Sequence, residues 1–215
     1  MLTDDQLVSL DEAWTPARAA GVIGTASIET LVEHTVWFAR AVCSSFSATF
    51  DDFHGCVVDV GTGAGLPGVI LAALLPHAKL RLVDASERRL DHARRAVRAL
   101  GVADRVEIVH GRGDELAHDV AWRGKHDVAV ARLLGDAAET IELLAPLVRP
   151  GGVIVTAAAE SATHRWDALP ITELLTSAVS WSDSPVGLFA SVNILGPVPS
   201  SFPRRERKRR QSPLF

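Results

Sequence analysis

The chain has 215 residues, a formal net charge of −4, and 47% hydrophobic against 22% charged residues. That balance excludes a disordered or collagen-like chain, and the length suits one domain with a full core plus a short extension. No secretory leader pattern and no run of 18 apolar residues is present, which predicts a cytoplasmic protein. Cys43 and Cys56 read as buried thiols, and the scattered histidines lack ligand spacing, so no metal site is expected.

Residues 1–20 mix acids with Leu7, Leu10 and Trp14 and predict a short helix ending before Pro16. Gly21-Val22-Ile23-Gly24 reads as a turn. Ser27 then stands as an N-cap to a helix whose Ile28, Leu31, Val32, Thr35, Phe38, Ala39 and Val42 follow helical spacing. His34 lies at the border of that face, where a histidine ordinarily serves as a structural hydrogen-bonding group. Residues 44–52 form a polar connection into the next strand.

Residues 57–60 are a short apolar run closed by a turn, Gly61-Thr62-Gly63-Ala64-Gly65-Leu66-Pro67-Gly68, and by a second apolar run over 69–75. This is the pattern of a buried strand, a tight turn and a helix. Glycine lets the backbone approach a ligand, and the helix start offers free N–H groups, so a nucleotide-type cofactor site is expected here. Two registers are open. Gly63-Ala64-Gly65-Leu66-Pro67-Gly68 fits the dinucleotide fingerprint, with Asp84 near the spacing of a ribose-binding acid. The register Asp59-x-Gly61-x-Gly63-x-Gly65 places an acid before the turn, where it would meet a pyrophosphate unfavourably.

Strands and helices then alternate. Residues 80–83 form a strand ending in Asp84, and Ser86 caps a helix with Leu90, Ala93, Val97 and Leu100 inward and Gly101 at its end. Its arginines, Arg88, Arg89, Arg94, Arg95 and Arg98, read as a solvated surface. Further strands are expected over 105–109, 126–131 and 153–156, a helix over 136–147, and two last strands over 174–181 and 188–195 joined near Pro185. The fold expected is α/β, a doubly wound, mostly parallel seven-stranded sheet with an N-terminal helical extension. The domain limits expected are 1–50 for the extension, 51–200 for the sheet domain and 201–215 for a basic tail.

Ligands of such sheets bind beyond the carboxyl ends of the strands, at the point where strand order reverses. Asp59, Gly61, Asp84, the loop 111–114 and Arg132 all fall there. Asp84 suits a ribose diol, or else the dipole of the following helix. Asp114, with the backbone of Gly111 and Gly113, is placed to meet an adenine, or else caps a helix starting near Glu115. Arg132 directly follows an apolar strand; it can grip a phosphate or a guanine edge, or pair with a neighbouring acid. The segment from Arg204 to Arg210 carries net +5, leaving the rest of the chain at −9. Such a tail suits a polyanionic partner, or is a solvated terminus.

Asp59-Val60-Gly61-Thr62-Gly63-Ala64-Gly65 resembles motif I of class I S-adenosylmethionine methyltransferases, which keep an acid near the methionine amino group. The segment from Leu147 through Arg149-Pro150-Gly151-Gly152 to Val155 resembles their turn into strand five. With the continuation Leu66-Pro67-Gly68, the loop resembles that of the 16S ribosomal RNA methyltransferase G family, once called glucose-inhibited division protein B. Gly111-Arg112-Gly113-Asp114-Glu115, Ala131-Arg132-Leu133, Gly21-Val22-Ile23-Gly24 followed by His34, and Phe202-Pro203-Arg204-Arg205 with Ser212-Pro213-Leu214 resemble further segments of that family.

The resemblance implies a class I methyltransferase fold and methyl transfer from S-adenosyl-L-methionine to N7 of a guanine in 16S rRNA. It implies direct in-line attack without a general base, with Arg132 and His34 as catalytic residues. Cofactor contacts are implied at Asp59, Gly61, Thr62, Gly63, Gly65, Leu66, Asp84, Ala85, Gly113, Asp114 and Arg132. Ribosomal RNA or the small ribosomal subunit is the implied partner, met by the basic tail, with no membrane and no metal. The chain departs from the family at Glu33 before His34, at Thr156-Ala157-Ala158-Ala159-Glu160, and at Glu206 to Gln211. These departures lie on the substrate side. They keep open a divergent methyltransferase of a small molecule or protein, and a non-catalytic cofactor-binding RNA or assembly factor.

Overall fold

A computed structural model of the chain describes residues 1–132, 134–159, 161 and 163–215. Leu133 and Glu160, each at the end of a segment compared above, lie outside the described residues. Seven strands form one sheet in the order β3-β2-β1-β4-β5-β7-β6. They are β1 (Cys56–Val60), β2 (Lys79–Asp84), β3 (Val106–His110), β4 (His126–Ala131), β5 (Val148–Ala158), β6 (Ser180–Ser184) and β7 (Gly187–Asn193). The first five pair in parallel, while β7 runs antiparallel to β5 and β6 antiparallel to β7. Strand order reverses between β1 and β4, so a crevice opens beyond their carboxyl ends.

Successive strand residues point to opposite faces, and here both faces are covered. Val57, Leu80, Leu82, Val128 and Val130 pack into one apolar cluster with helices α1 (Asp4–Ala19), α2 (Ile28–Ser45), α3 (Gly68–Leu74) and α4 (Glu87–Ala99). Val58, Val60, Ala129, Ala131 and Ile154 pack into the other, against α6 (Ala137–Leu144), Trp166 and Phe202. The short helices α5 (Gly113–Leu116), α7 (Thr163–Trp166), α8 (Ile171–Leu174) and α9 (Glu206–Gln211) complete the chain. The two N-terminal helices share the first core rather than standing apart from it. No helix is long and apolar enough to cross a membrane among the described residues.

The helix ends follow local chemistry. Ser27 and Ser86 accept from the N–H of Thr30 and Arg89. Gly101, at φ +66°, ends α4 with Gly101 N–H on the Arg98 carbonyl and Val102 N–H on the Val97 carbonyl, a Schellman motif.

Several boundaries differ from expectation. Helix α1 runs through Pro16, because the proline sacrifices only one bond, to the exposed Glu12, while continuation buries Ala17 beside Leu10 and Trp14. Helix α6 ends at Leu144 and tightens into a 3-10 turn over Ala145–Leu147, where Pro146 has no N–H to continue the ladder. Strand β5 begins five residues early, and bare Gly152 lets it pass against β4: a Cβ there would lie 2.4 Å from the Asp127 carbonyl. Residues 174–179 are not strand. Pro170 opens the turn of α8 that buries Leu174, Leu175 takes φ 54°, and Thr176 makes a single bridge to Ile194.

Candidate functional site

The loop after β1 holds positive φ at Gly61 (73°), Gly63 (58°) and Gly65 (101°), a run that only glycine adopts without strain. Its polar groups are tied down on three sides. Gly61 and Thr62 N–H donate to the Val83 carbonyl, and Gly65 and Leu66 N–H to the Thr62 carbonyl. Gly63 N–H donates to Asp84 Oδ2 at 2.9 Å. From the opposite side, the buried Trp14 indole N–H donates to the Ala64 carbonyl at 2.8 Å. Helix α1 thus supports the cofactor loop across 50 residues of sequence, a contact no local pattern announces.

Asp59 is fully buried under this loop. Its Oδ2 accepts from Thr62 Oγ1 at 2.7 Å and Gly68 N–H at 2.9 Å, while Oδ1 is buried without a partner. Burial pushes its carboxyl up to about 7, with Asp84 adding to the rise and the Thr62 and Gly68 hydrogen bonds opposing it. A Cβ on Gly68 would fall 2.2 Å from Leu82 Cδ2 and 2.7 Å from Asp59 Oδ2, so the helix start approaches β1 and β2 as only glycine permits. Asp59 therefore anchors the loop directly.

Beyond the strand ends lies a cavity of about 370 Å³, within the range of small-molecule sites. Among the residues expected from sequence, Gly61, Asp84, Ala85, Gly113 and Asp114 line it. Asp59, Thr62, Gly63, Gly65, Leu66 and Arg132 do not; the first five lie behind the lining, as loop and anchor. Asp84 is 2% exposed. Ser86 N–H at 2.8 Å and Arg89 Nη2 at 3.1 Å hold its Oδ1. Arg89, read from sequence as solvated, is thus a site residue; its position in the first turn after Asp84 was the available signal. A side chain at Gly113 would meet Val60 Cγ1 at 2.7 Å, so bare backbone forms that wall.

Asp114 does not cap α5. Arg112 is the N-cap residue, and Asp114 sits in the first turn. Its carboxylate takes Arg112 Nε at 3.0 Å, Arg112 Nη2 at 3.1 Å and Arg209 Nη2 at 3.2 Å. Burial works to raise this carboxyl, and the two guanidiniums outweigh it, holding it below the usual range.

The basic tail is not a solvated terminus. Arg123 donates to the carbonyls of Val198, Pro199 and Phe202, and His118 Nε2 lies 2.9 Å from the Pro203 carbonyl. Arg204 forms a paired fork on the buried Glu142, at 2.8 and 2.6 Å. Glu206 takes Arg112 Nη2 at 2.7 Å, and Glu206, Arg209 and Arg210 line the cavity. Arg209 is only 5% exposed. Arg205, Arg207 and Lys208 are exposed and have no ion pair among the described residues.

His34 on α2 and Arg132 at the end of β4 lie close enough for the guanidinium charge to bear on the imidazole. The His34 ring packs on Phe38 and on Phe189 of β7, with centroids 5.4 and 5.1 Å away, instead of making the expected hydrogen bond. Burial, then the Arg132 charge, push His34 down to about 4, so its imidazole is neutral. Arg132 is half-buried, and desolvation lowers its own pKa. No carboxylate pairs with it among the described residues.

The sequence matches the family described as rRNA small subunit methyltransferase G (GidB) over residues 12–182. It is 38% identical over 136 residues to the ribosomal RNA small subunit methyltransferase G of Rubrobacter xylanophilus, covering 63% of this chain and 50% of that protein. The namesake of Acetivibrio thermocellus is 28% identical over 171 residues, covering 76% of this chain and 70% of the relative. The chain spans about half the length of the first relatives it matches. Among solved structures, a ribosomal protein L11 methylase from Lactobacillus delbrueckii subsp. bulgaricus aligns with TM-score 0.57 at 17% identity, over 75% of this chain and 79% of that one. A precorrin-6y C5,15-methyltransferase from Geobacter metallireducens aligns with TM-score 0.52 at 16% identity, over 74% and 87%. These two likenesses concern the fold.

Proposed function

This chain belongs to the rRNA small subunit methyltransferase G family, and from that premise we propose that it methylates N7 of a guanine in 16S rRNA with S-adenosyl-L-methionine. The cavity suits that cofactor: a buried carboxylate, Asp84, at the end of β2 for a ribose, and bare backbone at Gly61 and Gly113. Asp114 stands at the adenine end, and Asp59, buried behind the lining, would support the methionine end through its bonds to Thr62 and Gly68 rather than touch the cofactor. The bound cofactor supplies an electrophilic methyl group on a sulfonium.

The observation that carries the substrate reading is Arg132. A half-buried guanidinium with no carboxylate partner among the described residues, at the end of β4 and within electrostatic reach of a neutral imidazole, suits an incoming anion or an acceptor edge. Guanine presents N7 and O6 as adjacent acceptors, and Arg132 can hold O6 or a neighbouring phosphate while N7 faces the methyl. N7 has a free lone pair, so no residue need remove a proton. The contribution of Arg132, His34 and Phe189 is alignment of the base. Exposed Arg205, Arg207 and Lys208 would meet RNA phosphates nearby, giving salt-sensitive affinity. Residues 51–200 would supply the catalytic sheet and 1–50 its support, and a ribosomal substrate places the protein in the cytoplasm.

The test is transfer of a labelled methyl group to small ribosomal subunits lacking guanine-N7 methylation, with naked 16S rRNA in parallel. Label at a single guanine N7 is the expected result. Intact cofactor binding without transfer to either substrate would overturn the rRNA reading and favour another acceptor.

A further inference from the structure

Arg209 is placed where a tail residue has no evident reason to be buried. Helix α9 is six residues long and mostly basic, yet one of its cations is sunk to 5% exposure against the adenine end of the cavity. Burying a guanidinium is unfavourable unless its donors are met. Here Nη1 donates to the Arg204 carbonyl, Nη2 donates to Asp114, and Nε is buried without a partner. Orientation of Asp114 does not require Arg209, since Arg112 already grips that carboxylate through both Nε and Nη2. The segment leading to Arg209 is fixed by the Arg123 bonds to the carbonyls of Val198, Pro199 and Phe202 and by the Arg204–Glu142 fork. Arg209 is therefore part of a built wall.

We infer that Arg209 and Asp114 together read the Watson–Crick edge of the cofactor's adenine, Asp114 accepting from N6–H and Arg209 Nη2 donating to N1. Asp114 Oδ2 is taken by Arg112 Nη2 and Arg209 Nη2, whereas Oδ1 holds only Arg112 Nε and keeps a lone pair for N6–H beside Arg209 on the same cavity wall. Nη2 carries two N–H groups and spends one on Asp114, leaving the other for a ligand. Adenine offers a donor at N6 beside an acceptor at N1, the complement of this pair. Hypoxanthine offers O6 beside N1–H, which would set acceptor against acceptor and donor against donor. The tail thus contributes to cofactor specificity through Arg209, while its exposed cations face outward. This rests on the cofactor assignment made above.

The experiment is calorimetric binding to the full chain of S-adenosylhomocysteine, its 1-deaza analogue, in which N1 is a C–H, and its inosine counterpart. The unaltered chain is expected to bind S-adenosylhomocysteine at least about tenfold more tightly than either analogue, the scale of one charge-assisted hydrogen bond. Arg209→Ala should lose about that factor for S-adenosylhomocysteine, and should bind the 1-deaza analogue as the unaltered chain does. An Arg209→Ala chain that still discriminates N1 would overturn the proposal, because another donor would then serve it. Tighter binding of S-adenosylhomocysteine by Arg209→Ala would also overturn it, making Arg209 a competitor for Asp114. The comparison of ligands on the unaltered chain needs no variant: equal affinities end the proposal and leave the cofactor reading standing. Absence of all three affinities ends the cofactor reading itself.

Discussion

The two sides of the crevice are finished to different degrees. On the cofactor side the loop is pinned by Asp84, Asp59 and Trp14, and Asp84 is itself held by Ser86 and Arg89. On the proposed substrate side a half-buried arginine has no counter-charge among the described residues, and the histidine whose pKa it lowers packs on two phenylalanines. A buried polar network that is satisfied is rigid, whereas an unpaired buried charge is costly in isolation. The cofactor-side loop is thus held by these bonds, although Asp59 Oδ1 beneath it is buried without a partner among the described residues. The other side holds a guanidinium with no carboxylate partner among the described residues, and in the proposed function that partner is the substrate.

The largest effect should come from the unpaired charge. Arg132→Ala is expected to lower methyl transfer by roughly 10²- to 10³-fold, the scale of removing one electrostatic contact made at the reacting group. S-adenosylhomocysteine affinity should be nearly unchanged, since Arg132 does not line that cavity. Thermal stability should hold or rise, because its removal leaves no carboxylate unpaired among the described residues. Single-turnover transfer and a melting curve on the same preparation check this; a fall in melting temperature with activity intact would make Arg132 structural and erase the contrast between the two sides.

A smaller effect, on binding, is expected across the crevice. Asp84→Ala removes the acceptor for Gly63 N–H and Ser86 N–H and leaves the Arg89 charge unpaired. Losing hydrogen bonds to a charged group is worth about 1.5–3 kcal/mol, so S-adenosylhomocysteine affinity should fall by roughly 10- to 100-fold. Affinity for an rRNA fragment should be unaffected. If instead RNA binding fell with it, the two sides would be coupled and the division drawn above would fail.

The cofactor side was the more legible in sequence for a physical reason. Its determinants are local: glycines at alternate positions, an acid at each strand end, Ser86 as a cap, and each can be read within a few residues. The elements that escaped are held by distant partners. Trp14 meets Ala64, Arg204 meets Glu142 and Arg209 meets Asp114 across 50, 62 and 95 residues. Nothing in the run from Arg204 to Arg210 tells a buried cation from an exposed one, so a single basic tail concealed two roles. His34 and Arg132 were each visible, but their proximity depends on α2 crossing β5 and β7, which periodicity does not specify. Pro16 and the region 174–179 failed for a related reason, since burial of Ala17 and Leu174 overrode local signals for a helix end and a strand.

The smallest expected effect, and the one that probes the substrate side without a substrate, is the acid response of His34. Its pKa stands near 4 in the folded chain against 6.5 for a free imidazole. Between those values the unfolded chain binds the extra proton, so the His34 contribution makes stability rise with pH from about 4 to 6.5 and level off above. Asp59 acts in the opposite direction, since its raised carboxyl favours the folded state at low pH and loses that advantage as pH climbs towards 7. Buried His126, also lowered by desolvation, acts in the same direction as His34. The total pH profile therefore mixes signs, and the informative quantity is a difference. Denaturant unfolding of the unaltered chain and of His34→Phe, at pH 4.5, 5.5 and 7, holds Asp59 and His126 common to both. The unaltered chain should lose stability relative to the variant on acidification, and methyl transfer by the unaltered chain should show no inflection from His34 near pH 6.5. A stability gap constant across that range, or a His34 titration near 6.5 by NMR, would mean a solvated imidazole. The neutral ring beside Arg132 would then be lost, and with it half of what makes the substrate side a site.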